Sequence, residues 1–298
     1  MKAMKKLIFT GSGVALVTPM KADGSVNYEM LDRLVDFHLE NGTDALVVCA
    51  TTGESPVLSH DEHCRIVEAV VKRVQKRIPV VASSGSNDTK YASELSQTLE
   101  GLGADALLMV TPYYNKTSQA GLVRHYNYVA DRVNVPIILY NVPSRTGLNI
   151  RPETYFELSK HPNIAATKEA NGDIAAAART AALCGENLTL YSGEDNQTIP
   201  ILSLGGKGVI SVLANILPRA MHDMCTDYLT GNTERARSAF LRYLALMDAL
   251  FMDVNPIPVK AAMKMMKLDC GDCRLPLTAM SGEAGEKLHA VLKKYELA

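Results

Sequence analysis

Short, continuously apolar segments alternate with longer amphipathic segments along most of the chain, and this alternation restricts the possible folds. Strands that read as uninterrupted apolar runs are typical of parallel sheets covered by helices. The eight strand candidates are residues 8–17, 45–50, 80–83, 106–111, 136–140, 164–168, 188–192 and 208–212. Eight such units close naturally into a (β/α)8 TIM barrel, so the predicted class is α/β. An open, doubly wound sheet is the alternative.

The helix candidates carry ordinary start and stop residues. Ser59 followed by Glu62 is a capping-box pattern, and Gly103 is placed to end a helix. Between strands they are residues 28–41, 59–76, 89–102, 119–132, 152–160 and 174–184, and after the last strand 219–229, 234–252, 258–267 and 282–295. The segment after the eighth strand is longer than one closing helix requires. We predict a barrel domain over residues 1–231 and a C-terminal helical extension over residues 232–298.

Composition and charge exclude several classes of protein. The net charge is −1 and no basic stripe stands out, so neither nucleic acid nor an acidic membrane is an expected partner. The first 20 residues are basic and then apolar, like a signal peptide, but polar and glycine residues at 10–13 favour a first strand. The six cysteines are scattered, which suits reduced thiols in a cytoplasmic protein.

Polar side chains collect where the strand candidates end. In a barrel of parallel strands, the carboxyl ends of all strands meet at one face, and that face carries the active site. The residues at or just after these ends include Thr51, Thr52, Glu54, Thr111, Tyr113, Tyr114, Tyr140, Arg145, Lys168, Glu169 and Gly193. Hydroxyls, phenols, a guanidinium and an amine are therefore predicted to converge.

Lys168 is the most informative of these residues. It ends an otherwise apolar strand candidate, where an uncompensated ammonium costs free energy. Burial favours the neutral amine, which is the form that attacks a carbonyl carbon. The structural alternative is a lysine that extends to solvent or pairs with neighbouring Glu169.

The other strand-end residues have chemistry that suits a carbonyl reaction. The phenols of Tyr140 and Tyr114 can move protons, although buried tyrosines are commonly structural. Arg145 can hold a carboxylate by two hydrogen bonds, and exposed loop arginines are the alternative. Thr51 and Thr52 precede Gly53 and can offer hydroxyls and backbone amides to an anion, or simply form a turn.

No metal site is predicted. His60 and His63 lack a third ligand at a convincing spacing, and Cys270 with Cys273 is at most half of a zinc site. The glycine-rich segment 205–208 precedes a strand rather than a helix, so it is a weak indication of phosphate binding.

Taken together, several segments resemble the dihydrodipicolinate synthase family, within the superfamily of class I pyruvate aldolases that includes N-acetylneuraminate lyase. They are 50–55 (ATTGES), 110–115 (VTPYYN), 140–147 (YNVPSRTG), 168–170 (KEA), 208–211 (GVIS) and 255–260 (NPIPVK). They occur in the family's order and spacing over essentially the whole chain. Ala50 departs from the glycine usual there.

This resemblance implies a reaction and a set of roles. Pyruvate would condense with L-aspartate 4-semialdehyde to give 4-hydroxy-tetrahydrodipicolinate, on the route to diaminopimelate and lysine, without a metal or organic cofactor. Lys168 would form the imine. The catalytic relay would be Tyr140, Thr51 and Tyr114, and the substrate-binding residues would be Thr52, Arg145, Ile210 and Gly193.

The resemblance also implies an assembly and a regulatory site. We expect a homo-oligomer, a tetramer of tight dimers, in which Tyr114 reaches into the neighbouring subunit's site. The residues that match the family's allosteric lysine pocket are Ser55, His60, His63, Asn87 and Tyr113. Tyr91 stands where lysine-sensitive members have glutamate, and Pro56 replaces a smaller residue, so feedback is expected to be weakened.

Two alternatives remain at this stage. N-acetylneuraminate lyase or another pyruvate aldolase shares the lysine and a tyrosine, but paired Thr51 and Thr52 with Ser144 and Arg145 favour a small substrate that bears a carboxylate. A catalytically silent barrel that senses amino acids is the other, and retention of Lys168 with its surrounding residues argues against it.

Overall fold

Eight parallel strands hydrogen-bond in sequence order and close into a barrel in the computed structural model, which describes residues 5–298. The strands are β1 (Gly11–Ala15), β2 (Ala45–Val48), β3 (Val80–Ser83), β4 (Ala106–Val110), β5 (Ile137–Asn141), β6 (Ile164–Glu169), β7 (Thr189–Ser192) and β8 (Gly208–Ser211). Pairing of β1 with β8 closes the ring. The predicted (β/α)8 class is confirmed, and the open-sheet alternative is wrong.

Helices surround the barrel and continue beyond it. They are α1 (Tyr28–Glu40), α2 (His60–Val74), α3 (Thr89–Gly101), α4 (Gln119–Ala130), α5 (Pro143–Thr146), α6 (Pro152–Leu158), α7 (Ile174–Cys184), α8 (Thr198–Ser203), α9 (Pro218–Leu229), α10 (Thr233–Ala249), α11 (Ile257–Met265) and α12 (Gly282–Lys294). Within residues 5–298, no helix is both long and apolar enough to cross a membrane.

Sequence patterns placed most elements but extended some of them too far. The first strand candidate begins at residue 8, whereas β1 begins at Gly11. The Phe9 amide and carbonyl bond the Tyr191 hydroxyl instead of a neighbouring strand, at 3.2 and 2.6 Å, and the Phe9 ring stacks on Tyr191. The short helices α5 and α8 were not predicted. With four and six residues, they are too short to show helical periodicity.

The start of α2 follows its predicted capping box. The Ser59 hydroxyl accepts a hydrogen bond from the Glu62 amide at 3.2 Å, and the Glu62 carboxylate accepts one from the Ser59 amide at 2.9 Å. Arg274, far along the chain, also donates to Glu62 at 2.8 Å. The first turn of α2 is therefore fixed both locally and by the C-terminal part of the chain.

Side chains alternate along each strand between two apolar layers. Inward residues such as Val47, Leu108 and Ile138 fill the barrel, and outward residues such as Leu46 and Leu107 pack under the helices. The interior is thus closed by packing at its amino end. Chemistry is left to the rim formed by the carboxyl ends of the strands.

The C-terminal helices pack onto the barrel. Helix α10 lies against α9 and α8, and α11 contacts the segment that follows β8. The proposed boundary between residues 231 and 232 falls in the turn between α9 and α10. The division into two domains stays a prediction.

Candidate active site

Lys168 and Tyr140 lie side by side at the carboxyl ends of β6 and β5. The two residues are register partners, and the Lys168 Nζ atom lies 4.3 Å from the centre of the Tyr140 ring. Both side chains are buried, with 4% and 6% of their surface exposed. The Nζ atom is therefore held against the face of an aromatic ring, which attracts a cation.

The structure excludes a pair between Lys168 and Glu169. Consecutive strand residues point to opposite faces, so Lys168 faces the interior and Glu169 faces the helices. The Glu169 carboxylate accepts hydrogen bonds from Asn141 Nδ2, the Tyr155 hydroxyl and the Asn171 amide at 2.9, 2.9 and 3.0 Å. The structural alternative in which Glu169 neutralises Lys168 is wrong.

Two acids, half-buried Glu194 and buried Asp195, lie on the same side as Lys168. Burial raises the pKa of both Glu194 and Asp195, and the positive charge of Lys168 opposes that rise. Asp195 also accepts hydrogen bonds through Oδ2 from the amides of Val212 and Leu213, at 3.0 and 2.9 Å. The site is therefore polarised around the amine without a carboxylate in direct contact with it.

Gly193 leaves space for the Lys168 side chain. A Cβ atom at position 193 would lie 2.7 Å from the Ala170 Cβ and 3.1 Å from the Lys168 Cγ. A side chain at position 193 would clash with Ala170 and press against the lysine stem. Ile210, 1% exposed on β8, packs in the barrel core and lies in register with Gly13.

The two threonines sit on a tight turn after β2. The Gly53 and Glu54 amides donate to the carbonyls of Ala50 and Thr51 at 3.0 and 3.1 Å. The Thr52 hydroxyl accepts a hydrogen bond from Asn255 Nδ2 at 3.0 Å, so its own proton is free to be donated elsewhere. The methyl group of Ala50 packs in the barrel core.

A buried ion pair anchors this turn to the C-terminal extension. The Lys260 Nζ atom lies 2.6 Å from Glu54 Oε1, and the two side chains are 3% and 0% exposed. Glu54 Oε2 accepts a hydrogen bond from the Arg274 amide at 2.8 Å, and Lys260 also donates to the Asp272 carbonyl at 3.2 Å. Sequence reasoning missed this pair. Both residues lie in the family-like segments, but nothing local connects them.

Arg145 borders a cavity of about 380 Å³ that also contacts Thr51 and Tyr140. Its Nη2 atom donates to the Asn255 carbonyl at 3.2 Å. Asn255 therefore contacts both Thr52 and Arg145, and it too was missed as part of the site. The cavity is large enough for two small carboxylate substrates.

Most of the residues predicted for lysine binding lie around the same cavity. Ser55, Pro56, His63, Tyr91 and Tyr113 line it. His60 and Asn87 stand beside it. The Tyr91 hydroxyl is 3.5 Å from His60 Nδ1, and Asn87 Nδ2 donates to the Tyr113 carbonyl at 3.2 Å. Burial lowers the pKa of His63 to about 4, so this histidine is neutral at physiological pH.

Tyr114 is not brought to Lys168 within one chain. Its side chain is 91% exposed, and its φ angle of 68° is unusual for a residue other than glycine. The loop thus presents the phenol outward, away from the cavity that Thr51 and Tyr140 line.

The remaining sequence candidates for metal or redox chemistry are two free thiols, buried Cys270 and half-buried Cys273. Burial raises the pKa of Cys273 to about 11 and that of Cys270 to about 12, so both stay protonated near neutral pH. Across residues 5–298, no group of three or more histidine, cysteine or acidic side chains is arranged to hold a metal ion.

Comparison with known proteins gives consistent matches over the whole chain. The model of the dihydrodipicolinate synthetase family matches residues 8–295. The 4-hydroxy-tetrahydrodipicolinate synthase of Caldicellulosiruptor saccharolyticus is 55% identical over 287 residues, which is 96% of each chain.

Solved structures superimpose closely. A monomeric dihydrodipicolinate synthase variant is 42% identical, with a TM-score of 0.95 over 98% of each chain. The enzyme from Cyanidioschyzon merolae with lysine bound is 38% identical, with a TM-score of 0.95 over 98% of this chain and 100% of that one.

Replacing one partner of the Glu54–Lys260 pair should lower the free energy of unfolding more than replacing both. We predict that Lys260→Met lowers the free energy of unfolding by about 3–5 kcal/mol, because it leaves a buried carboxylate without its cation. The double variant Glu54→Gln with Lys260→Met should recover most of that loss. Urea unfolding of the three proteins measures both effects. Equal losses in the single and double variants would contradict the ion-pair explanation.

Proposed function

The chain belongs to the dihydrodipicolinate synthetase family, and from that premise we propose that it condenses pyruvate with L-aspartate 4-semialdehyde to give 4-hydroxy-tetrahydrodipicolinate. The observation that carries the assignment to residues is the buried Lys168 amine, 4.3 Å from the Tyr140 ring centre at the barrel rim. This chemistry needs no metal or organic cofactor, because an imine formed on the Lys168 amine supplies the electron sink.

The steps follow from the chemistry of an amine and a 2-oxo acid. The Lys168 amine adds to the keto carbon of pyruvate, and loss of water gives the protonated imine. Loss of a methyl proton forms an enamine, whose terminal carbon attacks the aldehyde of the second substrate. The amino group of that substrate then attacks the imine carbon, which closes the ring and returns the free lysine amine.

We assign the surrounding residues to binding and to proton transfer. Tyr140 delivers protons to the carbinolamine, with Thr51 and Tyr114 as its relay. The Thr52 hydroxyl and the backbone at Ile210 hold the pyruvate carboxylate. Arg145 orients the carboxylate of the semialdehyde, and the fixed position of its guanidinium against the Asn255 carbonyl supports that role. Gly193 keeps room for the lysine stem and the substrate beside it.

Trapping the imine tests the mechanism. We predict that pyruvate with borohydride adds a stable mass to the peptide containing Lys168, while Lys260, which is also buried, stays unmodified because its Nζ atom is enclosed in the contact with Glu54. Peptide mass spectrometry reads both sites. An unlabelled Lys168, or full turnover by Lys168→Ala, would refute the mechanism.

We predict that Arg145→Ala still forms the trapped imine with pyruvate but loses roughly ten- to a hundredfold in condensation rate, because the carboxylate of the second substrate loses its charged contact.

We further propose that the active form is an oligomer, a tetramer of tight dimers, in which Tyr114 completes the neighbouring subunit's site. The 91% exposure of Tyr114 within one chain supports this, since a catalytic phenol must be enclosed in the working enzyme. The solved structure of a monomeric variant shows that a relative's fold does not need the assembly. If the active site is shared between subunits, the activity depends on the assembly even though the fold does not.

Subunit mixing gives a direct test. Lys168→Ala and Tyr114→Phe are each expected to be nearly inactive. In a mixed dimer, one site would combine an intact Lys168 with an intact Tyr114 from the other chain, so mixing should restore activity. Copurification through different tags confirms that subunits exchanged. Exchange without recovery of activity, or full activity in a sedimenting monomer, would contradict the shared site.

We also propose that L-lysine inhibits this enzyme weakly. Ser55, His60, His63, Asn87 and Tyr113 offer polar groups to the ligand, and a relative has been solved with lysine bound. Tyr91, whose pKa is raised by burial, is neutral at pH 7 and cannot pair with an ammonium as glutamate would.

Replacing Tyr91 tests this assignment. We predict that Tyr91→Glu lowers the lysine concentration for half-inhibition by roughly tenfold to a hundredfold, the value of a charge-assisted hydrogen bond. Tyr91→Phe is the matched control and should bind no more tightly than wild type. Tight inhibition of wild type would show that the missing carboxylate does not matter. If lysine inhibited neither wild type nor either variant, these residues would not form a lysine site.

We place the reaction in the cytoplasm. All six cysteines are free, as expected where thiols stay reduced.

A further inference from the structure

A buried carboxylate lies directly behind the proposed catalytic pair. Glu169 follows Lys168 on β6 and is 2% exposed. Its Oε1 atom accepts hydrogen bonds from Asn141 Nδ2 at 2.9 Å and from the Asn171 amide at 3.0 Å, and its Oε2 atom accepts one from the Tyr155 hydroxyl at 2.9 Å. All three donors are neutral, which is an unusual solvation for a buried anion.

No cation offsets this charge. Within residues 5–298, no ion pair includes Glu169. Lys168 on the same strand points to the opposite face, toward Glu194 and Asp195. On α6, Tyr155 supplies its hydroxyl, which also receives a hydrogen bond from Thr167 at 3.1 Å. Tyr126 of α4 lies near Tyr155, and its hydroxyl donates to the Met109 carbonyl at 3.3 Å.

The same carboxylate is joined to the strand that carries Tyr140. Asn141 lies opposite Glu169 in the β5–β6 register, as Tyr140 lies opposite Lys168. Besides binding Glu169, Asn141 donates to Asn149 Oδ1 at 2.7 Å and accepts from the Ile150 amide at 3.1 Å. Those contacts fix the far end of the 142–150 segment, which contains Arg145. One carboxylate thus connects the supports of three proposed active-site residues.

We propose that Glu169 is a positioning residue for the reaction proposed above. As an anion it clamps the ends of β5 and β6, which keeps Lys168 against Tyr140 and holds the Arg145 segment through Asn141. Taking up a proton removes one of its acceptor positions and loosens that clamp. The inference rests on the proposed function, because it concerns alignment for the condensation.

The charge state of the clamp changes in the physiological range. Burial raises the pKa of Glu169 to about 7, and the hydrogen bonds from Tyr155 and Asn141 oppose that rise. The aligned, anionic form therefore predominates above pH 7 and is lost as the pH falls through about 7. Condensation should rise with pH through this range. Removing the Tyr155 donor should raise the pKa further and move the rise to higher pH.

Three variants test the proposal through pH profiles of the condensation rate. Glu169→Gln imitates the protonated carboxyl, so it should match wild type near pH 6 and fall on the order of tenfold below it near pH 8. Tyr155→Phe should move the midpoint of the rise upward by roughly one pH unit, the effect of one hydrogen bond. Tyr126→Phe removes the same hydroxyl from a buried tyrosine that does not contact Glu169, and it should leave the midpoint in place.

Two outcomes would overturn the inference. One is a Glu169→Gln variant slowed by the same factor at every pH, which is what a merely structural role gives. The other is a midpoint that Tyr155→Phe does not move. Borohydride trapping of the pyruvate imine is measured on the same samples. Absence of the imine in wild type would refute the proposed function itself, whereas an imine with unchanged pH profiles would refute only the role of Glu169.

Discussion

The site is organised by the cost of burying an amine. An ammonium removed from water must be stabilised, either by direct contact with a carboxylate or by weaker interactions with several groups. Lys168 interacts with several groups: the face of the Tyr140 ring, and Glu194 and Asp195 at the same rim. Among the described residues, no carboxylate lies within ion-pair distance of it. No carboxylate therefore blocks the approach of a substrate to the amine, whose stem lies beside the space left at Gly193.

Lys260, which is also buried, is stabilised by direct contact with a carboxylate. Lys260 lies 2.6 Å from Glu54 and also donates to the Asp272 carbonyl. A lysine enclosed by a carboxylate and a carbonyl is not open to a substrate, but it can anchor the segments that it joins. Here it fixes the turn that presents Thr51 and Thr52. The same residue type thus serves as reagent or as support according to whether an acid is placed in contact with it.

Sequence reasoning located the site but not its supports. Strand periodicity predicted that Lys168, Tyr140 and Arg145 would gather at one rim, because parallel strands impose it. It could not find the contacts of Glu54 with Lys260 or of Thr52 with Asn255, which join residues more than 200 positions apart. It also left open a salt bridge between Lys168 and Glu169 as the structural alternative, although adjacency on a strand points the two side chains to opposite faces.

The C-terminal extension is therefore part of the site, although it follows the barrel in the chain. Asn255 donates a hydrogen bond to Thr52 through its side chain and accepts one from Arg145 through its carbonyl, so one residue contacts two proposed substrate-binding side chains. Arg274 binds both the Glu54 carboxylate and Glu62 at the start of α2. A barrel that ended at β8 would keep Lys168 and Tyr140 but would leave Thr52 and Arg145 without these contacts. The strands therefore place the reacting residues, and the segments after β8 hold the side chains proposed to bind substrate.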